Sequence, residues 1–212
     1  MESSKTLIAS TSGIRGIFGA GLGPEELMRY AGAFGAWLHR QVSGRRPRVV
    51  VGRDGRVTGS ICARIVTATL ESIGCDVLDA GLATTPTVEV AVQAACADGG
   101  IVLSASHNPA EWNALKLLNR QGEFLTPGEV REVLALAEAS ALPLVRYEAL
   151  GSYEARDFLD EHLQRILALD FIDPERIARW QFRVLVDGIN SVGAIALPAL
   201  LRRLGVVEIR LV

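Results

Sequence analysis

Apolar and polar positions along this chain switch between two periods, and the switching outlines the fold. Short apolar runs stand at Lys5–Ala9, Arg48–Gly52, Asp76–Leu78, Gly100–Leu103 and Ala114–Leu118, and each reads as a strand. Between them the period lengthens. Leu27, Tyr30, Ala31, Phe34 and Leu38 share one helical face behind Pro24. Proline suits the first helical position, where a backbone N–H would lack an intrahelical partner anyway. A second helix is expected from Thr58 as its cap to Gly74 as its stop, and a third over Thr87–Ala97. Thr126-Pro127-Gly128-Glu129 combines a capping box with a first-position proline and starts a fourth. Tyr153–Leu169 reads as one long amphipathic helix and Phe182–Val186 as a further strand. The glycine-rich "TSGIRGIFGAGLG" reads as a loop. Strands alternating with helices predict an α/β protein.

A polar, mixed stretch at 143–151 marks a boundary, dividing the chain into residues 1–150 and 151–212. "RVVVGRDG" opens a strand–loop–helix unit that closes with "LESIGCDVLDAG". "FRVLVDGIN" opens another that closes with "LRRLGVVEIRLV". Asp54-Gly55 and Asp187-Gly188 each end an apolar strand. The expectation is one complete α/β domain and the start of a second. The second unit stops at Val212 inside a strand, which would leave ladder groups exposed. A piece of a longer protein is therefore expected.

Charge narrows the partners. Twenty-two basic residues nearly balance 24 acidic ones over 212 positions, which argues against a general nucleic-acid surface. Cys62, Cys75 and Cys96 have no close spacing and read as small buried apolar residues in a reducing compartment. The N-terminus lacks the basic start and apolar run of a signal peptide, and no stretch is apolar enough for a membrane span. A cytoplasmic protein is expected, without membrane or nucleic-acid partners.

The chemistry gathers in three polar turns, "TSGIRG", "GRDGR" and "SASHNP", each next to a strand. In an α/β domain such turns collect on one edge of the sheet, where ligands bind. They supply Arg15, Arg53 and Arg56, together with glycines such as Gly13 that let backbone N–H groups approach an anion. Ser106 could be a nucleophile, a phosphate carrier or a plain turn residue. The hydrolase elbow needs glycines two residues either side of its serine, and Ser104 and Asn108 stand there instead. A phosphate carrier fits better, because phosphoserine brings about −1.5 to −2 charges that arginines, a lysine and backbone donors could hold. Lys116 interrupts an apolar strand ten residues later. It is either an edge-strand guard or a point charge and acid/base reaching back to the phosphoryl group. His39 and His162 read as surface residues.

These motifs, "TSGIRG", "GRDGRVTG", "GLATTPT" and "SASHNPAEWNALK", together resemble the α-D-phosphohexomutase superfamily over Thr11–Lys116. "VDGINSVG" is similar to the opening of that family's second domain, and the combination looks most like bacterial phosphoglucosamine mutases. The resemblance implies a three-layer αβα first domain with a mixed sheet, followed by an incomplete second α/β domain. It implies that Ser106 is the phosphorylated catalytic serine, which exchanges its phosphoryl group with hexose phosphates through a hexose bisphosphate. Arg15 and Lys116 match positions at the phosphoryl group, and His107 and Asn108 match residues that shape the serine turn. Ser12, Gly13 and Arg53 fall among the phosphate-binding turns. Mg²⁺ is the implied cofactor, with the Ser106 phosphoryl group as one ligand. The family's three metal-binding aspartates are absent from this chain, as are its sugar-selecting and distal-phosphate loops. Little or no mutase turnover is expected from the chain alone. Glucosamine 6-phosphate is the expected substrate, with glucose and mannose phosphates as the alternative. A non-catalytic phosphosugar-binding module is the rival reading. Ala114 stands where many members have glycine.

Overall fold

A computed structural model describes residues 6–139 and 142–212. In chain order the elements are β1 (Ile8–Ser10), β2 (Gly13–Ile17), α1 (Pro24–Gln41), β3 (Arg48–Arg53), α2 (Gly59–Ser72), β4 (Asp76–Leu82), α3 (Thr85–Ala94), β5 (Gly99–Leu103), β6 (Trp112–Leu118) and α4 (Pro127–Glu138). A short 3₁₀ turn, Tyr147–Ala149, leads to β7 (Tyr153–Ala155), α5 (Leu159–Leu167), α6 (Pro174–Arg179), β8 (Arg183–Val186), α7 (Gly193–Arg203) and β9 (Glu208–Leu211). Lys5, the first residue of the first expected strand, lies outside the described residues.

One seven-stranded sheet runs in the order β1-β2-β6-β5-β3-β4-β7. Strands β5, β3, β4 and β7 are parallel, while β6, β2 and β1 are added antiparallel. The mixed sheet is the middle of three layers. Val49, Val51, Ile101 and Leu103 face the core shared with α1, α2 and α4, which includes Phe34, Leu38, Val66, Leu70 and Val133. Val50 and Val102 face the other way, onto Val88, Ala91 and Val92 of α3 and onto Phe158. A strand buried on both faces needs an unbroken apolar run, and "VVV" and "IVL" are such runs. Each fully buried Phe or Leu contributes roughly 1.5–3 kcal/mol, so the two faces together anchor the sheet.

Helix starts follow their sequence signals. Thr126 Oγ1 accepts from Glu129 N at 3.3 Å, and Glu129 Oε2 accepts from Thr126 N at 2.7 Å, closing the capping box of α4. Pro24 opens α1, where Glu26 reaches back to Gly23 N. Thr58 sits at the head of α2 but makes no side-chain cap. Its hydroxyl instead accepts a bond from the buried Asn113 Nδ2 at 2.9 Å.

Four expectations change. Within the glycine-rich segment expected to be a loop, Gly13–Ile17 is a strand. Ile14 is buried in the core, and the glycines serve close packing as well as turning. Tyr153–Leu169 is a strand followed by a shorter helix. Ser152 N and Oγ donate to Asp76 Oδ1, and Tyr153 OH donates to Asp79 Oδ2 at 2.7 Å, so two β4 carboxylates hold this segment extended. The helix starts only where Asp157 Oδ1 accepts from Leu159 N, beside the buried Phe158. The chain beyond Gly151 therefore returns to the first sheet before β8 and β9 pair in a separate parallel ribbon. His162, expected on the surface, is half-buried, with Nδ1 2.9 Å from Thr87 Oγ1. Cys62 and Cys75 are buried, but Cys96 is exposed at the turn after α3.

Candidate functional site

The serine turn begins where β5 ends. Ser104 N donates to Ala114 O of β6 at 3.1 Å, which continues the ladder one step past Leu103. Ser104 Oγ then accepts from Ser106 N at 3.2 Å, and Asn108 N donates to Ala105 O at 3.1 Å. This folds the backbone so that Ser106 has φ +56°, in the left-handed region, with its side chain exposed. A non-glycine residue pays about 1–2 kcal/mol for that conformation, so its surroundings must hold it there.

Arg56 does much of the holding. Its Nη2 donates to Ser106 O (2.9 Å) and Asn108 O (2.7 Å), and its Nη1 to Pro109 O (2.6 Å) and Trp112 O (2.9 Å). Its Nε donates to Asp54 Oδ2 at 3.2 Å. The "GRDGR" turn meets the serine turn because β3 and β5 are parallel neighbours. Arg53 lies opposite Leu103, and Asp54 N donates to Leu103 O.

Arg15 and Lys116 reach the same edge through β6. Ile14 pairs with Leu115 and both enter the core, so Arg15, Ala114 and Lys116 project from the opposite face. Arg15 pairs with Ala114, whose carbonyl takes the Ser104 N–H, so the three residues form one row across three strands. Two interstrand steps put the ends of that row roughly 10 Å apart. Arg15 Nε is buried, and among the described residues it has no hydrogen-bond partner. Lys116 is half-buried with Nζ 6.0 Å from the centre of the Phe124 ring. Burial pulls its ammonium below the usual lysine pKa and Arg56 adds to that, while Asp54 and Glu89 oppose it.

The other expected residues occupy distinct places. Gly13 packs on the stem of Lys116: a Cβ there would stand 3.3 Å from Lys116 Cγ and 2.7 Å from Leu115 O. Ser12 is exposed just before it, with its N–H on Ser10 Oγ. Arg53 is half-buried at the end of β3, with Nη1 3.4 Å from Asp54 O. His107 is exposed, and Asn108 contributes its main chain to the turn. Asp54, expected to cap a turn or bind Arg53, accepts from Arg56 N and pairs with Arg56 instead of Arg53. Asn113 carries no signal in the sequence for this framework. Asn113 is fully buried, bonding Thr58 and the Ala114 N–H. Arg56 was grouped with the anion-binding arginines, yet every N–H of its guanidinium is already used inside the protein.

A cavity of about 980 Å³ lies between α1 and α4 and includes none of these residues. Among the described residues no three His, Cys, Asp or Glu side chains gather as a metal site. Asp54, the carboxylate beside the serine turn, is committed to Arg56. No helix among the described residues is long and apolar enough to cross a membrane.

Comparison with known proteins follows the same geometry. Residues 6–142 match the family model for phosphoglucomutase/phosphomannomutase, alpha/beta/alpha domain I. A phosphoglucomutase/phosphomannomutase of Thermococcus kodakarensis is 38% identical over 196 residues, covering 92% of this chain and 42% of the relative. A phosphoglucosamine/phosphogalactosamine mutase of Sulfurisphaera tokodaii is 32% identical over 197 residues, again covering 92% and 42%. The crystal structure of a putative phosphomannomutase from Thermus thermophilus superposes with a TM-score of 0.83 at 27% identity, covering 98% of this chain and 46% of that one. The chain thus spans less than half the length of these relatives.

Proposed function

The chain belongs to the phosphoglucomutase/phosphomannomutase family, and from that premise we propose that Ser106 is a reversible phosphoryl carrier for hexose phosphates. One observation supports this reading above the others. An exposed serine held in a left-handed turn shares a sheet edge with Arg15, a guanidinium whose buried Nε–H has no acceptor among the described residues. A buried donor left unsatisfied costs free energy, and a phosphoryl oxygen would supply the missing acceptor.

In the proposed reaction, phosphoserine 106 gives its phosphoryl group to a free hydroxyl of a hexose monophosphate. The Ser106 Oγ–P bond breaks and a sugar O–P bond forms. The hydroxyl proton passes to Lys116 in its neutral form, which burial favours, and the resulting ammonium gives that proton to the leaving serine oxygen. The resulting hexose bisphosphate reorients, and Ser106 takes the other phosphoryl group. Arg15 anchors phosphate, the Ser12–Gly13 turn and Arg53 border it, and His107 and Asn108 belong to the turn that presents the serine. Mg²⁺ remains part of the proposal; among the described residues no cluster of His, Cys, Asp or Glu forms its site, and phosphoserine 106 would offer it an oxygen.

Glucosamine phosphates are the substrates we propose, in a cytoplasmic setting. Glucose and mannose phosphates are the alternative, in keeping with the names of the relatives. The 212-residue chain is expected to show little or no turnover, because its residues cover only part of the contacts that a bisphosphate intermediate needs. The reading is tested by following the Arg15 Nε–H resonance during titration with hexose bisphosphate. A saturable shift, abolished by Ser106→Glu through competition from the introduced carboxylate, is expected. Binding that leaves this resonance unmoved contradicts the phosphate-anchor role.

A further inference from the structure

We propose that Arg56 is the positioning residue of the serine turn: its guanidinium imposes the left-handed backbone at Ser106 and takes no part in holding phosphate. The inference deepens the phosphoserine reading and rests on it for its catalytic consequence. Four carbonyls, those of Ser106, Asn108, Pro109 and Trp112, converge on this one cation. Converging carbonyl dipoles repel each other unless a positive group lies among them. A planar fork with two donors on each terminal nitrogen can serve four acceptors at once, whereas a lysine ammonium has three donors at a single point. Asp54 takes the remaining Nε–H and also accepts from Arg56 N at 3.0 Å, so the fork is held at both ends of its own side chain. The side chain is only 11% exposed, which keeps water from competing for these carbonyls.

The consequence is a division of labour between two arginines on one edge. Arg15 has a buried donor to offer, and Arg56 has none left. Without the fork, Ser106 relaxes toward negative φ, and its hydroxyl is displaced with the turn.

Arg56→Lys, with Arg56→Ala as a second variant, tests this in the 212-residue chain. Two quantities are read: the Ser106 Cα and Cβ chemical shifts, which report its backbone conformation, and the rate of phosphoryl transfer from hexose bisphosphate to Ser106 by intact mass. Arg56→Lys is expected to remove the left-handed shift signature and to slow transfer roughly 100-fold, the scale of a 1 Å misplacement. Added guanidinium should restore both quantities in Arg56→Ala, and added methylammonium should not. A merely structural arginine would not show that selectivity. Unchanged Ser106 shifts in Arg56→Lys, or failure of guanidinium to restore them, overturns the proposal. If the unmutated chain gains no phosphoryl group, the phosphoserine reading fails, while the shifts still decide the role of Arg56.

Discussion

At the scale of single residues, the candidate edge holds identical chemical groups in different surroundings. Three arginines enter the edge from two turns, and residue type alone does not separate them. Only the structure shows that four carbonyls take the terminal N–H groups of Arg56, while Arg15 Nε has no partner among the described residues. Lys116 gives a titration that can be followed cleanly, because the chain has only one other lysine, Lys5. Burial lowers its pKa, helped by Arg56 and opposed by Asp54 and Glu89. The unfolded chain, with a lysine pKa of about 10.4, therefore holds the extra proton as pH rises above the folded value. In that window stability increases with pH, and Lys116→Met should abolish the increase. ¹³C-methyl labelling of the two lysines should show Lys116 titrating below about 10.4, and lower still in Glu89→Gln. A Lys116 midpoint that rises in Glu89→Gln would contradict this account of its surroundings.

At the scale of elements, most of the first sheet was readable from sequence. β3, β5 and β6 are apolar runs whose periodicity needs no tertiary information, and the α4 start is encoded in four consecutive residues. Replacing Thr126 with Ala should cost about 1 kcal/mol in urea unfolding, the usual loss for a capping residue. β2 is hidden in the sequence because glycine is also the usual sign of a loop. At Gly13 it permits φ +114° and also the close approach of Leu115 O. Gly13→Ala should therefore destabilise by at least about 1 kcal/mol through strain at that φ alone. A neutral effect would mean that β2 and β6 separate easily. β7 is hidden for a different reason: three exposed residues become a strand through parallel pairing with β4 and a side-chain bond to Asp79, 74 positions earlier in the chain. No local pattern records such a partner. For the candidate site, the serine, lysine and Arg15 could be picked out by residue type and turn context. The Arg56 clamp could not, because it is a long-range satisfaction of main-chain carbonyls.

At the scale of the whole molecule, the second unit touches the first at the serine-bearing edge. Gly55 N donates to Ser191 Oγ at 3.0 Å, between Asp54 and Arg56. The "GINS" turn that presents Ser191 carries Ile189 and Asn190 at φ 45° and 52°. Two adjacent left-handed residues make that turn costly to form, so its docking on Gly55 is specific. Ser191→Ala should speed hydrogen exchange at the Gly55 amide while leaving the β3 and β5 amides protected. Equal exchange in both proteins would show that the second unit does not brace this turn. The measurement that bears most directly on the whole account is peptide-level mass spectrometry after incubation with a hexose bisphosphate. It predicts one added phosphoryl group, located at Ser106 and absent in Ser106→Ala; a folded protein that gains none, or gains it at another residue, contradicts the claim that this edge carries a reversible phosphoserine.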